Sequence, residues 1–392
     1  MADAYDFWAA RLAPEEVGEV GAFWDRFVRV AVRIERYLRG EAPEVNLGQE
    51  MRMVMGPFSD RLFWAIEPSA GTGWHLVVTA ELTHSLRPLA RAIATRGQDL
   101  AGWSASDARL PVVEISAAVH AILDRSRSEA MAVEEIAPVR GAHRMVDLQV
   151  AGRGDADFLG DQAGVIFGVL LGDRADQDWL GEAYARRRGG PLAVLSARPR
   201  RNDRWLTEFR NAAVDIIAAF EAERPERSYA EVPLKTDELH GFRLNPMAGD
   251  AARRRDVISY QSRNRALTAA IFAGARIGTL RFSRFHEAFC GIKIRRTEAQ
   301  DFRQPEAVRK IAETVEEVLM KARLGGVTAF GEGVRHVYID LAMLQVEPAM
   351  PILRAALRRA GVEAPTWLMF DEAGLEDRYF ALTPDTQPSP VA

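Results

Sequence analysis

A single cysteine, Cys290, excludes an intramolecular disulfide and any zinc site built on paired cysteines, and it points to a reducing compartment. Its apolar surroundings read as those of a small buried hydrophobe rather than a nucleophile. Long hydrophobic runs are missing: the longest, Val165 to Leu171, is far short of the roughly 20 residues that span a bilayer. Met1 to Ala10 carries Asp3 and Asp6 and lacks a basic stretch followed by an apolar core, so no secretory signal is read there. A cytoplasmic protein without a membrane partner is expected. Excess charge of one sign is missing too, since 51 Lys and Arg face 55 Asp and Glu for a net charge of -4. The strongly basic field of dedicated nucleic-acid binders is therefore absent, and nucleic acid is not the expected partner.

The usual chemical signatures are also missing. Gly168, Gly172, Gly325, Gly326, Gly331 and Gly333 fit neither a phosphate loop nor a dinucleotide fingerprint. Gly331 to Gly333 reads as a hairpin turn, and Gly325 with Gly326 as the stop of a helix. His75, His84, His120, His143, His240, His286 and His336 stand singly, with no pair at zinc-motif spacing, so neither a metal nor a cofactor is expected. No serine has glycines two before and two after it, which leaves no nucleophile elbow and argues against a serine hydrolase of that type.

What is present is an ordinary folding composition. Hydrophobic residues make up 48% and charged residues 27% of 392, ample to bury a core and too long for one, because single cores stop growing near roughly 250 to 300 residues. The pattern predicts an α+β protein in which residues 1–113 and 251–383 each fold helices onto a small, mostly antiparallel sheet. A mixed section, 114–250, lies between them, and a disordered, proline-bearing tail, 384–392, ends the chain. Helices are predicted from Pro14 to before Gly40, over Ser85–Arg96, Asp203–Glu223 and Pro305–Arg323, and over Glu347–Ala360, from apolar residues at helical spacing. Strands are predicted at Leu62–Glu67, His75–Ala80, Trp103–Leu110, Met145–Val150, Val165–Leu171, Leu192–Ala197, Val257–Ser262, Arg276–Phe282, Phe289–Arg295, Val327–Phe330, His336–Leu341 and Trp367–Asp371. Arg224–Pro233 and Asn245–Asp256, rich in Pro, Gly and charge, read as linkers.

Two stretches share an order of strand, strand, helix, strand. His75 and His336 open one strand of each, Pro88 and Pro351 sit in the helix first turns, Arg91 and Arg354 follow at one offset, and Trp103 and Trp367 open the closing strands. This suggests a duplication of one unit.

Phe23, Trp24, Phe27, Trp64, Ile66, Glu67, Pro68, the run Leu76 to Ala80, and Gly102, Trp103, Arg109 and Pro111 together resemble the N-terminal part of an uncharacterised group of bacterial proteins. The resemblance covers the N-terminal quarter of the chain. It implies a bacterial cytoplasmic origin and a compact domain, and carries no activity.

Two sets of residues are candidates for chemistry. His286 and Glu287, with Cys290, form the one local gathering of potential acid, base and nucleophile, though strand alternation would put Glu287 on the opposite face from the other two. Arginines crowd two loops: Arg186, Arg187 and Arg188, then Arg198, Arg200, Arg201 and Arg204 leading into a helix whose free N-H groups would favour an anion. A further set, Arg253, Arg254, Arg255, Arg263 and Arg265, brackets a strand. The leading expectation is a non-catalytic binding or regulatory protein that contacts another macromolecule. The alternative is an enzyme acting on a phosphorylated or acidic substrate, with the arginine loops holding the anion.

Overall fold

The computed structural model describes residues 12, 14–69, 73–81, 83, 86–97, 100–112, 132–153, 155–185, 204–235, 238–245, 254, 256–298, 300, 302, 305–375, 378–384 and 386. The expected strand Leu192–Ala197 and Asp203, the expected start of a helix, lie outside them. The chain is α+β and forms two compact units that interleave in sequence. One takes Met1–Ile136, Val150–Gln177 and Ala185–Arg210, and the other Ala137–Gln149, Asp178–Tyr184 and Asn211–Ala392.

The first unit begins with α1 (Pro14–Leu38), where Val20, Phe23, Trp24, Phe27, Val30, Ala31 and Ile34 fall on one buried stripe. Each large apolar side chain buried there contributes about 1.5–3 kcal/mol relative to exposure. A second helix, α2 (Leu47–Met55), starts where the Asn46 side chain accepts the Gln49 amide at 3.1 Å. Next come the hairpin β1 (Phe63–Pro68) and β2 (Trp74–Thr79), then α3 (Arg87–Arg96) and β3 (Trp103–Ser106), which lies parallel to β2 in a sheet ordered β1-β2-β3. Two indole groups tie α1 to this layer: Trp24 Nε1 donates to the Ile93 carbonyl at 2.8 Å, and Trp103 Nε1 to Glu35 at 2.8 Å. Gly97 packs against the Trp24 ring so closely that a Cβ would overlap it. Gly97→Ala is therefore expected to displace the indole from Ile93 and to cost about 1–3 kcal/mol, measured by denaturant unfolding.

The chain continues through β4 (Ala132–Arg140), β5 (Val146–Arg153), α4 (Ala156–Leu171), α5 (Asp173–Trp179), β6 (Leu180–Ala185) and α6 (Arg204–Ala222), with β4-β5-β6 forming a second three-stranded sheet. The expected strand Val165–Leu171 is the last half of α4. Asp155 caps that helix through the Phe158 amide, and Leu159, Ala163, Ile166, Phe167 and Leu170 are buried at helical spacing. Dense β-branched and aromatic residues concealed that spacing.

The second unit is built on a seven-stranded antiparallel sheet. Its strands are β7 (His240–Arg243), β8 (Val257–Ser262), β9 (Ala288–Arg295), β10 (Gly325–Gly333), β11 (His336–Met343), β12 (Thr366–Phe370) and β13 (Tyr379–Ala381), ordered β13-β12-β9-β11-β10-β8-β7. Between strands run α7 (Arg265–Phe272), α8 (Thr279–Phe282), α9 (Pro305–Ala322) and α10 (Val346–Arg359). Alternation along β11 sends Val337, Ile339, Leu341 and Met343 to one face and His336, Tyr338, Asp340 and Ala342 to the other. All eight residues of the strand are buried, so both faces are covered.

Several expectations are corrected here. Arg276–Phe282 is not a strand: Ile277 makes one bridge to Glu372, and α8 follows. Gly325 and Gly326 open β10 rather than stopping α9; Arg323, at φ 56°, turns the chain out of the helix. Arg224–Pro233 is no free linker, because Ser228, Tyr229 and Ala230 are buried. Next to the expected tail, the Thr383 hydroxyl accepts the Thr366 amide at 3.1 Å, and within it the Thr386 hydroxyl accepts the same amide at 3.0 Å; most of 384–392 lies outside the described residues. The two strand-helix-strand paths agree in direction and differ in neighbours. β2 and β3 pair directly in parallel, whereas β9 lies between β11 and β12 and is antiparallel to both.

Candidate functional site

Glu287 is fully buried, and its carboxylate holds the chain around Ser228. One oxygen accepts the Ser228 hydroxyl at 2.6 Å and the Tyr229 amide at 2.8 Å, and the other accepts the Ser283 hydroxyl at 2.5 Å. The same strap is fixed further along: Arg263 donates to the Val232 carbonyl at 2.5 Å and stacks over the Tyr229 ring at 4.7 Å, while Glu316 accepts the Leu234 amide at 2.9 Å. Burial pushes the Glu316 carboxyl up, with Arg263 and the amides of Val327 and Leu234 opposing it. His286 is exposed, with φ 55°, and precedes the strand instead of belonging to it. The pair thus faces two different environments, and Cys290 is buried within β9 on its apolar face.

The densest charge lies on the other face of the seven-stranded sheet. Arg254, at φ 60°, places a fully buried guanidinium between Asp340 on β11 and Asp371 just past β12, donating to both carboxylates. Gly291 makes room, because a Cβ there would run into that guanidinium and Asp340. Burial raises the Asp340 carboxyl, and Arg254 only partly offsets this. Tyr260 is buried beside Asp340, and burial together with that carboxylate pushes its hydroxyl well up. One row along, Asp256 accepts the amides of Arg335 and His336 at 2.9 and 3.1 Å and the Tyr338 hydroxyl at 2.5 Å. Burial alone would raise Asp256, but the His336 and Tyr338 hydrogen bonds win and hold it well below the carboxylate range. These groups clamp Arg254 and Asp256 to the sheet; Arg253 and Arg255 lie outside the described residues.

A cleft opens on the opposite face of the sheet, over β8 and β10. Its volume is ≈ 130 Å³, and its lining includes Val308 and Phe330, Gln261 and Ser259, and the acids Glu306 and Glu332. Arg309, also at the rim, pairs with Glu313 at 2.9 Å, and Glu332 lies 3.5 Å from Arg296. The exposed side chains Ile258 and Val334 flank the Val257–Gly333 pair beside it.

In the first unit, His75 bridges two serines, Nδ1 to Ser104 Oγ at 2.7 Å and Nε2 to Ser106 Oγ at 2.8 Å. Sequence reasoning missed this cluster, since its members come from separate strands. The signal was there in His75 at a strand start and two serines at period two in the strand expected to close the unit.

Of the arginine loops, Arg198, Arg200 and Arg201 lie outside the described residues, as do Arg186 to Arg188. Arg204 opens α6, exposed, and pairs with Glu208 at 2.8 Å. Among the described residues no three His, Cys, Asp or Glu side chains group as a metal site would, and no helix is long and apolar enough to cross a membrane. Compared with known proteins, the chain matches no family model, no curated protein and no solved structure.

Proposed function

We propose that the chain is a binding protein that engages a protein partner through the cleft between the first turn of α9 and the β8-β10 pair. The observation that carries this is the cleft's make-up: an apolar floor of Phe330 and Val308, a rim with Glu306 and Glu332, and the exposed apolar neighbours Ile258 and Val334. A volume of ≈ 130 Å³ suits one inserted side chain rather than a metabolite, whose pockets run to roughly 300–1,000 Å³. Arg309 is engaged by Glu313 and Glu332 by Arg296, so the preference of the rim for a cation rests on exposed Glu306. A basic side chain fits, its stem on Phe330 and its head between the acids, with a polar rim around an anchor as in other protein interfaces. The reducing, cytoplasmic setting read from Cys290 belongs to the same proposal.

Of the two groups that the alternative, enzyme reading would use as acid or base, Glu287 anchors the strap and His286 is exposed. The test is a photo-crosslinking residue at exposed Gln261, with captured proteins identified by mass spectrometry. A crosslinked partner is expected, lost on Ser259→Trp, which fills the cleft, and weakened as salt rises. Capture unchanged by Ser259→Trp, in a variant with unaltered melting, rejects the cleft.

A further inference from the structure

We propose that Ser104 in the first unit is a histidine-activated nucleophile, with His75 as its base, able to take an acyl group from a carboxylic ester. The roles follow from the hydrogen bonds. The Ser106 hydroxyl donates to the Ala108 carbonyl at 2.6 Å, so its oxygen meets His75 Nε2, 2.8 Å away, as an acceptor. Nε2 therefore carries the proton, and Nδ1 of the neutral ring is the free base. The Ser104 hydroxyl, 2.7 Å from Nδ1, is then the donor, and its oxygen lone pairs remain open for attack.

The surroundings fit this assignment. Burial lowers the His75 pKa, with Glu67 opposing, so the ring is neutral and basic at neutral pH. Glu67 is the direct cross-strand partner of His75 in the β1-β2 register and favours the imidazolium that forms once the proton is taken. His75 itself is buried at 8% exposure, whereas Ser104 and Ser106 are only half-buried, so the nucleophile is reachable and its base is shielded. Ser106 is a positioning residue, fixing the tautomer as the third member of such a set does.

In the reaction, Ser104 Oγ bonds to the ester carbonyl carbon while its proton passes to His75 Nδ1. The tetrahedral adduct collapses by breaking the bond to the alcohol oxygen, which leaves with the Nδ1 proton. Water then attacks the acyl-serine, giving its proton to Nδ1, and the carboxylic acid departs as Ser104 regains that proton. No metal or redox partner enters the balance.

The experiment uses the full chain with a fluorophosphonate probe, which bonds Ser104 Oγ through phosphorus with loss of fluoride, and peptide mass spectrometry to locate the adduct. An adduct on Ser104 is expected in the unaltered protein, its rate rising with pH to a plateau with a midpoint below the ordinary histidine value of 6.5. His75→Gln should slow labelling by about 100-fold or more, the usual scale of base catalysis. Ser106→Ala should slow it less, and Ser106→Thr, which keeps the hydroxyl, should restore it. Absence of an adduct on Ser104 in the folded, unaltered chain overturns the proposal, as does a labelling rate indifferent to His75→Gln.

Discussion

Replacing Arg254 with Met is expected to destabilise the second unit by about 3–5 kcal/mol, the scale seen when one partner of a buried ion pair is removed. The guanidinium is fully buried between Asp340 and Asp371, and a methionine offers neither carboxylate a donor. Burial already raises the Asp340 carboxyl against the pull of Arg254, so without Arg254 its folded-state pKa rises further above the unfolded value. A folded pKa above the unfolded one means that stability is present at low pH and lost as pH rises through the folded value. The gap between variant and unaltered protein should therefore be wide at pH 8 and narrow toward pH 4. Adding Asp340→Asn and Asp371→Asn to Arg254→Met should recover much of the loss at pH 8, since no buried charge is then left unpaired. Denaturant unfolding of both variants across that pH range measures the effect; a pH-independent difference would mean that Arg254 acts through packing alone.

Where one element's own residues decide its conformation, the sequence was readable. The stripe of α1, the β1-β2 hairpin and the strand β11 each follow from local patterning, which burial confirms for the helix and cross-strand register for the strands. Helix α7 was not foreseen, because Arg265–Phe272 is short and its cap, Asn264, sits in a stretch without turn glycines. The site residues were legible by type and not by role. Glu287 and His286 stood as candidate acid or base by type, and only the fold brings Ser228, 59 residues away, onto the Glu287 carboxylate. Arg254 looked like one surface arginine among several, and only the order β12-β9-β11 brings Asp340 and Asp371 to it. His75 meets Ser104 because β2 and β3 pair in parallel across the α3 crossover. Such convergence depends on sheet order, which spacing along one chain does not encode.

Glu287→Ala should cost about 3–5 kcal/mol, while Glu287→Gln should cost about 1 kcal/mol, and the contrast identifies what the carboxylate does. Hydrogen bonds to a charged acceptor are worth roughly 1.5–3 kcal/mol each, and Glu287 accepts from Ser228, Tyr229 and Ser283; because these share one group they do not add in full. Alanine leaves the Tyr229 amide buried without an acceptor, a loss that rotation of the two serine hydroxyls cannot repair. Glutamine keeps a carbonyl oxygen for Ser228 and Tyr229 and turns its amide toward Ser283 Oγ, which already accepts the Phe285 amide at 3.0 Å. The damage should also be local, because Arg263 and Glu316 grip Val232 and Leu234 independently of Glu287. Hydrogen exchange should therefore show lost protection at Tyr229 and Ala230 in Glu287→Ala before it shows it at Leu234. Equal effects of alanine and glutamine would make the negative charge, rather than the acceptor geometry, the feature that holds the strap.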